Sequence, residues 1–145
     1  MLQERQKSCK ERVREHYRGR VENMATLWRL YCKDPEASDP ELGCWMEYGL
    51  GFDYVVIPDY VARGTFGRQP RGYWRFQLSW GGPSDEFRFY CDENYQPTKI
   101  EYWFLDWYDG AKVSVTGKAR GLLDEIWQDW RDCELPQEAK RKAEE

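Results

Sequence analysis

The chain has 145 residues, with 26 Asp/Glu against 22 Lys/Arg, five Cys, a single His, eight Trp, ten Tyr and six Phe. One histidine leaves almost no room for Ser-His-Asp or Cys-His nucleophilic chemistry, or for most transition-metal sites, all of which need an imidazole. No stretch approaches the roughly 20 apolar residues of a membrane span. The first twenty residues lack the apolar core of a secretory signal, and Glu4, Glu11 and Glu15 interrupt the pattern of a transit peptide, so no export is expected.

Charge is unevenly spread: residues 1–33 hold nine Lys/Arg and four Glu, whereas residues 34–117 hold seven Lys/Arg and fourteen Asp/Glu. A basic N-terminal helix on an acidic body follows, either as a solvated face or as a docking surface. His16 lies in that charged segment and is expected at the surface. Cys9, Cys32, Cys44, Cys91 and Cys133 are odd in number, widely spaced and free of any CxxC pair. They suggest buried reduced thiols in a reducing cytoplasm rather than a disulfide framework or a zinc site.

Val21, Met24, Leu27, Trp28 and Tyr31 recur at three- and four-residue steps and predict a helix, which Cys9, Val13 and His16/Tyr17 extend upstream. Gly19 leaves open whether residues 1–33 make one helix or two. Asp39 as N-cap, Pro40, and a face of Leu42, Trp45 and Tyr48 ending at Gly49 predict a short second helix. Residues 52–57 read as a strand, and residues 59–71 as a long loop carrying Arg63, Arg68 and Arg71.

The middle of the chain alternates with period two. Trp74, Phe76, Leu78 and Trp80 oppose Tyr73, Arg75, Gln77 and Ser79. After the GGPSD turn at 81–85, Phe87, Phe89 and Cys91 oppose Glu86, Arg88 and Tyr90. Residues 99–109 are apolar on both faces, which predicts a strand that is central in the sheet or covered on both sides. Asp109-Gly110 signals a hairpin into a last strand with Ala111, Val113 and Val115 on one face. A helix over 118–131 with Leu122, Leu123, Ile126, Trp127 and Trp130 follows. The whole predicts one α+β domain over 1–135: a four- to five-stranded antiparallel meander packed with N-terminal helices and one C-terminal helix. Residues 1–19 form its basic helical extension, and 136–145 a frayed tail.

Three constellations could carry function. Arg75, Gln77, Glu86, Arg88, Glu101 and Lys112 share the polar sheet face, with Trp103 and Tyr73 beside them. They form either a stabilising ion-pair ladder or a site for a small carboxylate-based enzyme using Glu86, Glu101 and Arg88. Asp85, Glu86, Asp92, Glu93, Asp106 and Asp109 gather at turns and strand ends, where turn chemistry or a partner contact explains them. The spacing of Lys99 and Lys112 does not match a metal-dependent nuclease motif. The aromatic load fits a protein interface better than base stacking, because the sheet region is acidic.

The segments SWGGPSDEFRFY (79–90) and IEYWFLDWYDGAKVSV (100–115), preceded by YGLGFDYV (48–55), resemble an uncharacterised family of small proteins carried on bacterial phages, plasmids and other mobile elements. The resemblance covers residues 20–132 and transfers no catalytic residue. It implies an accessory protein, such as an anti-CRISPR-like counter-defence inhibitor, in the cytoplasm of a bacterial host. On this reading the chain is not an enzyme and needs no cofactor or metal. It would bind a host defence protein or ribonucleoprotein complex through Asp85, Glu86, Asp92, Glu93, Asp106 and Asp109 as phosphate substitutes, with Trp103 and Tyr73 as anchors. The alternatives are the carboxylate enzyme or a nucleic-acid binder using the basic helix and Arg63, Arg68 and Arg71.

Overall fold

The computed structural model describes residues 8–57 and 72–145. The expected arginines at 63, 68 and 71, and the loop that holds them, lie outside the described residues. The chain folds as α+β: five strands make one antiparallel sheet in the order β1-β2-β3-β4-β5, spanning Gly51–Val56, Gly72–Ser79, Ser84–Cys91, Pro97–Asp106 and Asp109–Ser114. Among the described residues three α-helices accompany it: α1 (Cys9–Lys33), α2 (Gly117–Asp132) and α3 (Leu135–Glu144). Among the described residues no helix is long and apolar enough to cross a membrane.

Period-two patterning sends Trp74, Phe76, Leu78, Phe87, Phe89, Ile100, Tyr102 and Phe104 into one core. The helices cover that face. Trp127 of α2 stacks on Phe89 with ring centroids 4.8 Å apart and donates from Nε1 to the Tyr95 carbonyl at 2.7 Å. Trp130, one turn on, packs against Phe52 and Phe76.

From Cys9 to Lys33 the chain is one helix. The Ser8 hydroxyl accepts from the Glu11 N–H at 3.3 Å, capping it. Gly19 costs about 1 kcal/mol of helix propensity, which the buried stripe of Val13, Met24, Leu27 and Trp28 outweighs.

Three expectations are corrected. The predicted helix after Asp39 does not form: Asp39 Oδ1 accepts from the N–H groups of Glu41 (2.9 Å) and Leu42 (3.0 Å), closing a turn instead. Gly43 then takes φ +83°, and only a single 3₁₀ turn, Trp45–Glu47, remains. The tail expected to fray from residue 136 is instead helix α3. Pro136 is buried, and its carbonyl accepts from Trp74 Nε1 at 2.8 Å. Finally, the last hairpin turns at Trp107-Tyr108, with Asp106 paired to Asp109, rather than at Asp109-Gly110. Gly110 is needed for a different reason: a Cβ there would lie 2.9 Å from Leu105 Cδ2.

The thiols also differ from expectation. Cys9 is buried, Cys44 and Cys91 are half-buried, and Cys32 and Cys133 are exposed. Burial pushes the Cys91 thiol up to about 12.

Candidate functional site

The polar sheet face assembles with Arg75 opposite Arg88 and Arg88 opposite Glu101. Its ion pairs are different ones. Arg75 reaches across to Asp53 of β1 with two hydrogen bonds, at 3.0 and 2.7 Å. Arg88 Nε donates to Glu86 Oε2 at 2.8 Å, while its guanidinium lies 4.0 Å from the Trp103 ring and 4.7 Å from the Tyr73 ring. Trp103 and Tyr73 therefore act here as walls for an arginine. Glu101 accepts from Trp103 Nε1 at 3.2 Å and pairs with Lys112 Nζ at 3.0 Å. Burial pushes its carboxyl up, but the Lys112 and Trp103 hydrogen bonds and the Lys99 charge outweigh that and leave it below its ordinary value. Glu86 and Glu101 are each only 3% exposed. Each carboxylate is held by its own cation.

The six acids do not form one surface, because the meander sends them to opposite ends of the sheet. Asp92 and Glu93 sit in the β3–β4 turn, where Asp92 Oδ1 accepts from the N–H groups of Asn94 and Gln96. Asp85, Asp106 and Asp109 lie at the other end, and all three are engaged by α1. Arg20 chelates the Asp85 carboxylate, with Nε to Oδ2 at 2.7 Å and Nη2 to Oδ1 at 3.0 Å. Tyr102 Oη donates to Oδ2 at 2.6 Å, and the Ser79 hydroxyl also donates to this group. Burial raises the Asp85 carboxyl, yet the donors from Arg20, Ser79 and Tyr102 leave it below its ordinary value. Asp106 pairs with Arg12 at 2.5 Å, and Asp109 accepts from the first helical N–H, that of Cys9, at 2.8 Å. These acids fasten the basic helix to the sheet. Arg12 and Arg20, half-buried on α1, make these contacts, while Lys10, Arg14, Arg18, Arg29 and Lys33 of the same helix are exposed. His16 remains exposed, with its ring stacked on Phe104 at 4.4 Å.

What the charges leave open, the aromatics fill. Trp80, Trp107 and Tyr108 are 77%, 88% and 105% exposed. The strict alternation that would place Trp80 in the core ends in a bulge between Gln77 and Ser79, so Trp80 leaves the sheet. The β2–β3 and β4–β5 turns adjoin: a Cβ on Gly82 would lie 3.7 Å from Trp107 Nε1. Beside the same sheet end lies an apolar cleft of about 260 Å³, walled by Trp45, Phe52, Phe76 and Trp130 and rimmed by Met46 and Leu50. Gly49 lines it at φ +86°, where a Cβ would fall 2.6 Å from the Phe76 ring.

In comparisons with known proteins, no family model, no curated protein and no solved structure matches the chain.

Proposed function

We propose that the chain is a non-enzymatic binding protein, an accessory product of a mobile element that inhibits a host nucleic-acid-processing complex by occupying a protein surface on it. One observation carries this reading. Among the described residues, the charged groups of the polar sheet face and Asp85, Asp106 and Asp109 are paired to each other, to α1 or to backbone, while Trp80, Trp107 and Tyr108 stand exposed at one sheet end. A general acid or base must reach a substrate proton, and Glu86, Glu101 and Asp85 are covered. Trp and Tyr are the side chains most enriched where proteins bind one another tightly. The geometry thus favours aromatic contact over phosphate mimicry, since Asp85, Glu86 and Asp106 are held in ion pairs and, of the six acids, Asp92, Glu93 and Asp109 are the exposed ones.

The test is a plaque assay on a bacterial host whose CRISPR immunity targets the infecting phage. Expression of the chain restores plaques by an order of magnitude or more. The Trp80→Ala/Trp107→Ala double variant loses that protection, and the Asp92→Asn/Glu93→Gln variant keeps it. The reverse pattern would restore the acid-mimic mechanism and sink this one.

A further inference from the structure

We propose that β5 is a docking edge, which takes up an extended, acidic segment of a partner protein as a sixth strand of the sheet. The proposal goes beyond the contact made by the exposed aromatics and does not rest on it.

The backbone determines what fits there. Ladder bonds in an antiparallel pair alternate along the strand. Asp106 and Asp109 close the two-residue turn, and just past β5 the Val115 N–H donates to the Ile100 carbonyl at 2.9 Å. That phase turns the N–H and C=O of Ala111 and Val113 toward β4, and those of Gly110, Lys112 and Ser114 away from it. The Gly110 N–H donates to Asp109 Oδ1 at 2.9 Å. The Gly110 carbonyl and both backbone groups of Lys112 and Ser114 have no hydrogen-bond partner among the described residues. All three residues are exposed. A row of alternating donors and acceptors is matched by another extended backbone.

The edge is also unguarded. Native sheets blunt an edge strand with a proline, a bulge or a covering element. β5 contains no proline, and its register with β4 is unbroken over six pairs. Helix α1 packs on the core side of β5, where Ala111 and Val113 lie, and Lys112 is on the other side.

Charge and side-chain size select the strand. Lys112 and Lys99 share one carboxylate, Glu101, at 3.0 and 4.0 Å, so these three groups leave one positive charge uncompensated. Lys112 keeps 54% of its side chain in solvent. An acidic side chain opposite Lys112 completes a cross-strand pair, whereas β5 of a second copy, in the register of greatest overlap, sets Lys112 against Lys112. Opposite Gly110 the fit is apolar. Half-buried Leu105 leans into the space a Cβ there would take, 2.9 Å from its Cδ2, and a large apolar side chain on the added strand covers it. In antiparallel pairing these two positions fall two residues apart, acid first.

The end-blocked peptide Ser-Thr-Val-Glu-Val-Leu-Thr-Ser carries that pattern and can be titrated into the ¹⁵N-labelled full chain. It should bind saturably, shift the Lys112 and Ser114 amide signals, and slow their hydrogen exchange by about tenfold or more. The same peptide N-methylated at Glu and Leu lacks the strand-forming N–H groups and should not bind. A version with Lys in place of Glu should bind about fivefold more weakly. Ser114→Pro removes an outward N–H without taking a bond from the β4–β5 ladder and should abolish binding; if that variant does not fold, the N-methylated peptide tests the same bond on the unaltered chain. Lys112→Met should erase the preference for Glu over Lys. Binding of none of the peptides, equal binding of the N-methylated one, or equal binding of the Glu and Lys versions overturns the proposal. So does a dimer in sedimentation velocity that Ser114→Pro disperses, which would assign the edge to a second copy.

Discussion

The guanidinium of Arg20 holds both oxygens of Asp85, at 2.7 and 3.0 Å, and turns its remaining nitrogen Nη1 to the Tyr48 hydroxyl at 3.1 Å. One side chain of α1 thereby ties the helix to β3 and to the turn before β1. Asp85 is 3% exposed, and losing its cation leaves a carboxylate stranded against Tyr102. A fully buried pair broken on one side costs about 3–5 kcal/mol. Arg20 keeps 26% of its side-chain surface in water, so Arg20→Ala should cost about 2–4 kcal/mol. Urea titration measures it; a loss below a few tenths of a kcal/mol would make the pair a bystander.

Acid stability follows from the same carboxylates. Asp85 and Glu101 lie below their ordinary values of 3.8 and 4.5. A carboxyl that gives up its proton more readily in the folded state stabilises the fold above its unfolded pKa and loses that contribution as pH falls through the folded one. Stability should therefore hold down to about pH 5 and fall below about pH 4. Asp85→Asn, less stable at neutral pH, should show a flatter acid limb in urea midpoints measured across this range. An unchanged limb would move the linkage to other groups.

Gly49 combines a left-handed backbone with a close approach to Phe76. Gly49→Ala meets both strain and overpacking and should cost about 2 kcal/mol or more. Gly19→Ala, in open space on α1, should instead stabilise by about 0.5–1 kcal/mol. Thermal melts of the two variants should move in opposite directions.

Trp107→Gly removes the exposed indole from a position glycine suits. Stability should stay within about 1 kcal/mol of wild type. Any loss of partner binding in this variant then reports contact and not unfolding. A melt displaced well beyond that margin would show the indole to be part of the core.

Deleting residues 135–145 should not be neutral, as it would be for a frayed tail. It removes the Pro136 carbonyl from Trp74 Nε1 and uncovers β1. An orphaned buried donor costs about 1–3 kcal/mol, so a fall in Tm of about 5–10 °C is expected, with the lost α3 packing added.

The sequence by itself determined the sheet and the faces of its second and third strands, because period-two alternation in 73–79 and 86–91 admits one assignment of core and solvent sides, whereas 99–105, apolar on both faces, took its sides from the neighbouring strands. It also determined α2, whose stripe of Leu123, Ile126, Trp127 and Trp130 needs no partner to be recognised. Helix α3 was invisible in it, since QEAKRKAEE offers no large apolar residue; what holds α3 is a buried proline and one indole hydrogen bond from a strand residue 62 positions earlier in the chain. The acids were legible as residues but not as partners. Asp85, Asp106 and Asp109 read as turn acids until the fold lays α1 across the sheet end, where Arg20, Arg12 and the Cys9 N–H consume them. Likewise Trp80 and Trp107 looked like strand residues until a bulge and a hairpin turn put them in solvent. Local periodicity fixes which way a side chain faces within its element; only the tertiary structure decides what, if anything, meets it there.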